Sequence, residues 1–262
     1  MKICASSVCW AGDNRASVLK KAKSAGFDAL ELLIMAPETA PFHGHSLRTT
    51  SARILADEFD AVDLTCAGLH IGGLSTAPER LPALLTYAHT AIDACRDIGC
   101  DLLVMGGPDR ASEAIRPYLE AVESLIPHLE ASGIRLALEN HYGNWLQYIQ
   151  DYEFVFDYLK SPNIGMTLDT GHFTAAAVDP EAVALQFANR VFHVHVKDHI
   201  GRQSVEMGMG VTNNRGCVLA LRGAGYSGYL SQELELHGNS EPDAAAADGL
   251  AYMKTLLNQR EV

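Results

Sequence analysis

The stretch Ala131-Ser-Gly-Ile134-Arg-Leu-Ala-Leu-Glu139 contains the unit from which this chain is built. A glycine follows a helical pattern, a short apolar run comes next, and an acidic residue ends that run. A similar joint occurs three more times, at Ala25-Gly-Phe-Asp28, Ile98-Gly-Cys-Asp101 and Ala224-Gly-Tyr-Ser227. Glycine just beyond a helix, followed by a short step into a strand, predicts repeated α-to-β turns.

Eight short apolar runs rich in Val, Ile and Leu follow one another along the chain. They are Ile3–Cys9, Asp28–Ile34, Leu64–His70, Asp101–Met105, Ile134–Glu139, Ile164–Asp169, Val191–Lys197 and Tyr229–Glu233. The runs start roughly 30 residues apart, the length that one strand and one helix require, and helical patterns fill most of the intervals. The sequence has no linker, no GxGxxG motif and no P-loop. We therefore predict an α/β protein with a single (β/α)₈ TIM-barrel domain over residues 1–262, rather than a doubly wound sheet.

Composition excludes several classes of function. The 262 residues carry a formal net charge of −12 and are 48% hydrophobic and 20% charged. This charge disfavours nucleic acid and anionic membranes as partners, and no apolar stretch has the length of a signal peptide or a membrane span. The six cysteines lack CxxC spacing, which favours a reduced, cytoplasmic setting.

Four apolar runs in the second half of the chain carry an acid or an imidazole at or near their ends: Glu139, Asp169, His195 and Glu233. Because the C-terminal ends of barrel strands meet at one face, we expect these side chains to converge there. Three carboxylates and one imidazole suit one divalent ion, with Mn²⁺ as the first choice and Mg²⁺, Co²⁺ or Zn²⁺ as alternatives. The competing interpretation is that each acid pairs with a neighbouring Lys or Arg.

Strand alternation separates the candidates in the seventh run. His193, His195 and Lys197 share one face. His195 is nearer the C-terminal end, so we expect it to be the ligand, with His193 as a buried support and Lys197 within reach of a substrate oxygen. His172, three residues after Asp169, should face the same cavity as a substrate contact or a further ligand.

Two aromatic side chains end runs in the first half of the chain. Trp10 and His70 follow the first and third runs and could line the part of the mouth that holds the substrate. Simple packing of the Trp10 ring and an internally satisfied His70 are equally open interpretations. The loops 35–45 and 198–214 could act as lids or serve as surface connections.

The motifs Leu138-Glu139-Asn140, Leu168-Asp169-Thr-Gly-His172, His193-Val-His195-Val-Lys-Asp198 and Ser231-Gln-Glu233 resemble those of the xylose isomerase-like TIM-barrel superfamily. This superfamily contains tagatose/psicose 3-epimerases, hydroxypyruvate isomerase, inosose isomerases and dehydratases, and endonuclease IV. The resemblance covers nearly the whole chain. It implies that the metal ligands are Glu139, Asp169, His195 and Glu233, with the two glutamates also moving the proton.

The resemblance further implies that His172 and Arg202 contact substrate oxygens, and that the protein is a homo-oligomer, a dimer or a tetramer. The fourth run leads into Val104-Met-Gly-Gly-Pro108, without the histidine that the trinuclear cluster of endonuclease IV needs, which argues against DNA repair. After Glu139, the run Asn-His-Tyr-Gly-Asn-Trp145 replaces the Asn-Arg-aromatic-Glu pattern of the ketohexose epimerases, which argues against a free ketohexose.

The resulting expectation is a divalent-metal-dependent isomerase or epimerase of a small sugar, keto-sugar or cyclitol, which transfers a proton through a stabilised enediolate. Glu139 and Glu233 would be the acid/base groups, and His141 would join the residues that hold the substrate. A lyase that uses His141 is the alternative, and a non-catalytic sugar-binding barrel is a third possibility.

Overall fold

The computed structural model describes residues 1–37, 46–235 and 241–258. Its strands are β1 (Lys2–Ser6), β2 (Ala29–Leu33), β3 (Thr65–Gly73), β4 (Leu102–Gly106), β5 (Arg135–Glu139), β6 (Ile164–Asp169), β7 (Val191–Val196), β8 (Asp198–Ile200), β9 (Gln203–Val205) and β10 (Tyr229–Gln232). Its α-helices are α1 (Arg15–Ser24), α2 (Ala52–Ala61), α3 (Leu81–Ile98), α4 (Ile115–Ser132), α5 (Ile149–Tyr158), α6 (Thr170–Ala175), α7 (Pro180–Phe187), α8 (Asn214–Gly223) and α9 (Pro242–Asn258).

Eight of the strands close into a parallel barrel in the order β1-β10-β7-β6-β5-β4-β3-β2. Each of the eight predicted apolar runs contributes one barrel strand, so the predicted single TIM-barrel domain is confirmed. Gly99 and Gly133 end α3 and α4 with φ of +85° and +71°, the left-handed conformation that glycine adopts without strain. The predicted helix-to-strand joints therefore have a direct backbone basis.

The first predicted run is longer than the strand it forms. β1 ends at Ser6, whose side chain accepts a hydrogen bond from the Val8 amide, and the chain turns into the 3₁₀ helix Ser7–Trp10. Trp10 is therefore carried away from the strand end. The difference matters for the site, because Trp10 was a candidate for the substrate pocket.

A second difference lies between β7 and α8. Residues 198–205 form an antiparallel hairpin of β8 and β9, joined at Gly201 and Arg202, where an irregular loop was expected. The other loop considered as a lid, 35–45, lies largely outside the described residues.

The hydrophobic core lies mainly between the barrel wall and its surrounding helices. Leu30, Leu32 and Leu138 point outward into this layer, while small clusters such as Cys4, Ala29 and Ala67 fill the barrel interior. The helices α3 and α4 bury one face each, with buried residues at the spacing of an amphipathic helix. Within the described ranges, no helix combines the length and apolar character needed to cross a membrane.

Candidate metal centre and active site

A cavity of about 210 Å³ opens at the C-terminal ends of the barrel strands. Its polar walls come from eight side chains: His70, Glu139, His141, Asn144, His172, Lys197, Glu233 and Glu235. Five of them, all but His141, Asn144 and Glu235, are less than 9% exposed. A buried carboxylate or ammonium is costly unless it has partners, so the contacts between these groups define the site.

Four titratable side chains converge on one point in this region. Atoms of His70, Glu139, His195 and Glu233 lie within 4.8 Å of one another. His195 Nδ1 is 2.8 Å from a Glu139 oxygen and 2.9 Å from a Glu233 oxygen, and His70 Nε2 is 3.2 Å from the other Glu139 oxygen. Since the four residues belong to β3, β5, β7 and the end of β10, barrel closure brings them together.

Asp169, the remaining predicted ligand, lies next to this group but is not one of its four members. Its Oδ2 is 3.7 Å from His195 Nδ1 and 3.2 Å from Lys197 Nζ. Its Oδ1 accepts the His172 amide at 2.7 Å and thereby caps α6. The Lys197 ammonium and the helix cap together hold the carboxylate at the edge of the group.

Lys197 is almost fully buried, with its ammonium among three carboxylates. Nζ lies 3.0 Å from Glu233, 3.0 Å from Glu235 and 3.2 Å from Asp169, and also contacts His172 Nε2 at 3.1 Å. Burial alone would lower the pKa of Lys197, but these carboxylates outweigh it and hold that pKa well above its usual value. The side chain therefore carries a permanent positive charge into the cavity wall.

Glu31, in the middle of β2, was missed in the sequence. It is fully buried, and its two oxygens lie 2.9 and 3.0 Å from His195 Nε2. The same carboxylate contacts His193 Nε2 at 3.1 Å and accepts the Ser231 hydroxyl at 2.7 Å. Burial raises the pKa of Glu31, but the contacts with His195 and His193 lower it by more. The net pKa is well below the usual value, so the carboxylate stays ionised. The available signal was an acid inside a strand whose neighbours are all apolar.

The two nitrogens of His195 thus face different partners. If Nε2 donates to Glu31, the lone pair of neutral imidazole is on Nδ1, the atom that faces Glu139 and Glu233. A buried carboxylate behind a histidine is the usual way to fix the tautomer of a metal-ligating imidazole. His193 is the buried support that strand alternation predicted.

His141 and His172 form one wall of the cavity, with ring centroids 3.8 Å apart. His172 Nε2 accepts from Lys197, and burial followed by the positive charge of Lys197 lowers the pKa of His172 to about 3. His172 is therefore neutral and carries its hydrogen on Nδ1. His141 Nδ1 lies 2.8 Å from the Tyr142 carbonyl oxygen, so neutral His141 has a bare Nε2 that can accept a proton.

Gly171 makes this arrangement possible. A Cβ at Gly171 would lie 2.6 Å from Lys197 Cβ and 2.7 Å from His199 Nε2. Any larger residue would push the end of β7 away from α6. The glycine in the Asp169-Thr-Gly-His172 motif is thus required for close approach.

The remaining two candidates lie elsewhere. Trp10 does not line the cavity: its ring is 2% exposed and its indole N–H donates to Asp243 at 2.7 Å. Arg202 lies on the β8–β9 hairpin, with its guanidinium 4.6 Å from the Tyr142 ring centroid, and lines an adjoining cavity of about 220 Å³. His141, His172 and Glu235 line both cavities, so the two spaces adjoin.

The side chains present fit a divalent cation. His70 Nε2, Asp169 Oδ2 and Glu233 Oε2 are buried without a well-aligned hydrogen-bond partner, although each makes short ionic contacts. Burial raises the pKa of Glu139, but His70 and His195 lower it well below its usual value. Ionised carboxylates and imidazoles that face one another form a mixed oxygen and nitrogen donor set, which suits Mn²⁺, Co²⁺ or Zn²⁺.

The family of this chain follows from its similarity to known proteins. The family described as "Xylose isomerase-like TIM barrel" matches residues 19–256, which is most of the sequence. The chain belongs to this family.

Two curated relatives match parts of this xylose isomerase-like chain. The rhizopine catabolism protein MocC of Rhizobium meliloti is 25% identical over 114 residues, which cover 44% of this chain and 34% of MocC. The inosose dehydratase of Clostridium beijerinckii is 28% identical over 69 residues, which cover 26% of this chain and 23% of the dehydratase. The matched segments thus span about a third or less of either relative.

Two solved structures can be superposed on nearly the full length of this chain. The zinc-bound IolI protein has a TM-score of 0.79 at 18% identity, with 98% of both chains covered. An L-ribulose 3-epimerase has a TM-score of 0.77 at 19% identity, with 98% of this chain and 94% of that chain covered. At these identities the likeness establishes the shared fold.

Proposed function

We propose that this protein is a divalent-metal-dependent isomerase or epimerase of a small sugar, keto-sugar or cyclitol. The observation that carries the proposal is the convergence of His70, Glu139, His195 and Glu233 within 4.8 Å at the C-terminal end of the barrel. Active sites of TIM-barrel enzymes lie at this end. The enzymes named among its relatives and structural neighbours include an inosose dehydratase and an L-ribulose 3-epimerase, which support a polyhydroxylated substrate.

Glu139, Asp169, His195 and Glu233 would hold the metal, and His70 is close enough to Glu139 to join them. Mn²⁺ is our first choice, and the zinc-bound IolI structure makes Zn²⁺ the main competitor. A bound divalent cation would polarise adjacent substrate oxygens and stabilise the negative charge of an enediolate.

The protein's own groups would move the proton. Glu139 ends β5 and Glu233 follows β10, so their carboxylates approach the cavity from different sides of the barrel. One carboxylate would take the proton from the carbon next to the carbonyl, and the other would return a proton to the opposite face or to the neighbouring carbon. Glu31 would keep the His195 imidazole in one orientation, and Lys197 would position the carboxylates of Asp169 and Glu233. The single N–H of neutral His172 would donate to a substrate oxygen.

A second candidate activity is a lyase on the same scaffold, and one observation favours it. His141 lines the cavity with a bare Nε2 in its neutral form, because Nδ1 faces the Tyr142 carbonyl. This nitrogen could remove the proton next to a carbonyl, and the hydroxide that leaves from the adjacent carbon would take that proton from His141 to form water. The two candidates therefore differ in the base and in the fate of the hydroxyl.

The experiment is incubation of the Mn²⁺-loaded protein with a panel of keto-sugars and inososes in D₂O, followed by NMR and mass spectrometry. Isomerisation or epimerisation gives a rearranged product of unchanged composition that contains one solvent deuterium. Elimination gives a product 18 mass units lighter than its substrate and would favour the lyase. Lack of turnover, with no deuterium in any recovered sugar, would contradict both candidates.

Matched variants assign the chemistry. Glu233→Gln should lower turnover by about 10²- to 10⁴-fold, the usual contribution of a general acid or base. The same substitution at Glu120, an exposed residue of α4 paired with Arg116, should leave turnover unchanged. If His141→Asn abolishes the reaction while Glu233→Gln retains it, the assignment of Glu233 as the proton-transfer group is wrong.

A further inference from the structure

The cavity lined by the β8–β9 hairpin lies beside the metal ligands and adjoins the space above them. Its volume is about 220 Å³, similar to the 210 Å³ of the neighbouring cavity. His141, His172 and Glu235 belong to both walls, while the hairpin contributes His199, Arg202 and Ser204 to this one. A substrate whose reacting carbon lies near Glu139 and Glu233 can therefore extend towards the hairpin.

This second cavity is lined by several polar groups without hydrogen-bond partners. Among the described residues, no carboxylate pairs with Arg202, an exposed side chain whose guanidinium lies 4.6 Å from the ring centroid of Tyr142. The Ser204 hydroxyl, His172 Nδ1 and both ring nitrogens of His199 are buried and lack hydrogen-bond partners. Because Lys197 occupies His172 Nε2, the unpartnered Nδ1 of neutral His172 is a donor.

The single carboxylate in this cavity already has a cationic partner. Glu235 contacts the Lys197 ammonium at 3.0 Å, which it shares with Asp169 and Glu233. The Arg202 guanidinium, by contrast, has no carboxylate partner among the described residues. Its single charge balances one carboxylate but only half of a doubly charged phosphate, and its two parallel N–H groups match the two carboxylate oxygens.

The hairpin holds these groups in place before any ligand binds. The Asp198 carboxylate accepts four backbone amide hydrogen bonds, from His199, Gly208, Gly210 and Thr212, at 2.9 to 3.1 Å. A side chain at Gly210 would collide with this carboxylate. Stacking on Tyr142 also restricts the Arg202 guanidinium and leaves its N–H edge available.

We propose that the cavity lined by the β8–β9 hairpin is a carboxylate subsite, and hence that the substrate is an acidic polyhydroxylated compound. The inference rests on the proposed function, because it assigns the end of the same substrate that is remote from the reacting carbon. Arg202 binds the carboxylate and stacks on Tyr142. Ser204 and His172 complete the set of donors.

The test is isothermal titration of the metal-loaded protein with two matched pairs of probes. D-gluconate and D-sorbitol differ by a carboxylate in an open chain, and quinate and myo-inositol provide the comparison for a ring. In at least one pair we expect the acid to bind about 10- to 100-fold more tightly than the neutral compound, as one charge-assisted hydrogen-bonding contact provides. Sorbitol 6-phosphate distinguishes a phosphate from a carboxylate as the preferred anion.

Because gluconate could also bind through the metal, the Arg202→Met variant is needed to distinguish binding at Arg202 from binding at the metal. The substitution should remove the preference for the acid without changing the affinity for the neutral partner, while Arg53→Met, at an exposed position on α2, should change neither. If Arg202→Met still binds the acid more tightly than the neutral compound, the carboxylate binds at the metal and the proposed subsite is wrong.

Equal binding within both pairs, or no binding of any acid, would also overturn the inference. Tighter binding of sorbitol 6-phosphate than of gluconate would show that the subsite prefers a phosphate, and the proposal of a carboxylate subsite would be wrong. Each of these failures is distinguishable from failure of the proposed function, because metal content and deuterium incorporation are measured independently of the charge of the probe.

Discussion

The two ends of the barrel each contain a cavity, and the proposed active site lies in the smaller one. The cavity at the N-terminal end has a volume of about 460 Å³, against about 210 Å³ at the C-terminal end. Its charged groups are partly exposed and have partners: Arg135 pairs with Asp101 at 2.8 Å, and Lys2 lies over the Tyr229 ring. At the C-terminal end the charges are buried, and carboxylates outnumber cations.

The difference shows that cavity size alone does not point to the proposed active site. Exposed ion pairs at the N-terminal rim contribute little to stability, and their arrangement is that of an ordinary surface. Burial of several carboxylates around His195 is costly for a structure without a bound cation. Perturbed titratable groups in a cleft are therefore better evidence of function than volume.

The largest expected difference in turnover is between substitutions at the two ends of β5. Arg135 begins β5 and lines the larger cavity, while Glu139 ends the same strand and lines the smaller one. Glu139→Gln should lower turnover by about 10²- to 10⁴-fold because it removes a proposed ligand and proton carrier. Arg135→Met should leave turnover within twofold of the native protein. Steady-state kinetics on both variants measures the difference. A larger loss of turnover in Arg135→Met than in Glu139→Gln would contradict the assignment of catalysis to the C-terminal end.

A smaller effect is expected at Glu31, which links the two ends because it contacts both His195 and His193. Glu31→Gln should weaken metal binding by about 10- to 100-fold, the usual effect of losing a carboxylate that orients a ligating histidine. Metal affinity can be measured by competition with a fluorescent chelator. Asp101→Asn at the N-terminal rim is the control, and unchanged affinity in Glu31→Gln would mean that the carboxylate does not orient His195.

The last comparison in this series concerns the packing beneath the site, where the expected effect is on stability rather than on turnover or metal affinity. Gly171→Ala should destabilise the protein by about 1–3 kcal/mol, because its Cβ would collide with Lys197 and His199. Gly12→Ala is the matched control, since nothing lies within 4 Å of a Cβ there. Urea unfolding of both variants measures the difference, and equal stability of the two would show that β7 and α6 are not closely packed at Gly171.

The repeated α-to-β joints and the acids at strand ends were sufficient to predict the barrel and the end at which the polar groups meet. Strand alternation also placed His193 beneath His195, where it contacts Glu31. These features depend on short-range sequence patterns, namely the glycines that end helices and the period of two in strands. Such patterns are readable in a single chain.

Other features depend on which side chains meet across the closed barrel, and the sequence pattern does not specify those meetings. Glu31 lies 164 positions from His195 in the chain, and only closure of β2 against the far side brings them together. The contacts of Lys197 with three carboxylates depend on side-chain conformation, which a sequence pattern does not specify. The position of Trp10, whose indole N–H donates to Asp243, depends on the turn that begins at Ser7, three residues before it.

The most direct test of the account is the metal content of the native protein and of a Glu139→Gln/Glu233→Gln double variant. Both would be dialysed against a chelator, refilled with Mn²⁺, Co²⁺ or Zn²⁺, and analysed by inductively coupled plasma mass spectrometry. The account predicts one tightly bound divalent ion per native chain and none in the folded double variant. A native protein that retains no metal, or a double variant that still binds a full equivalent, would contradict it.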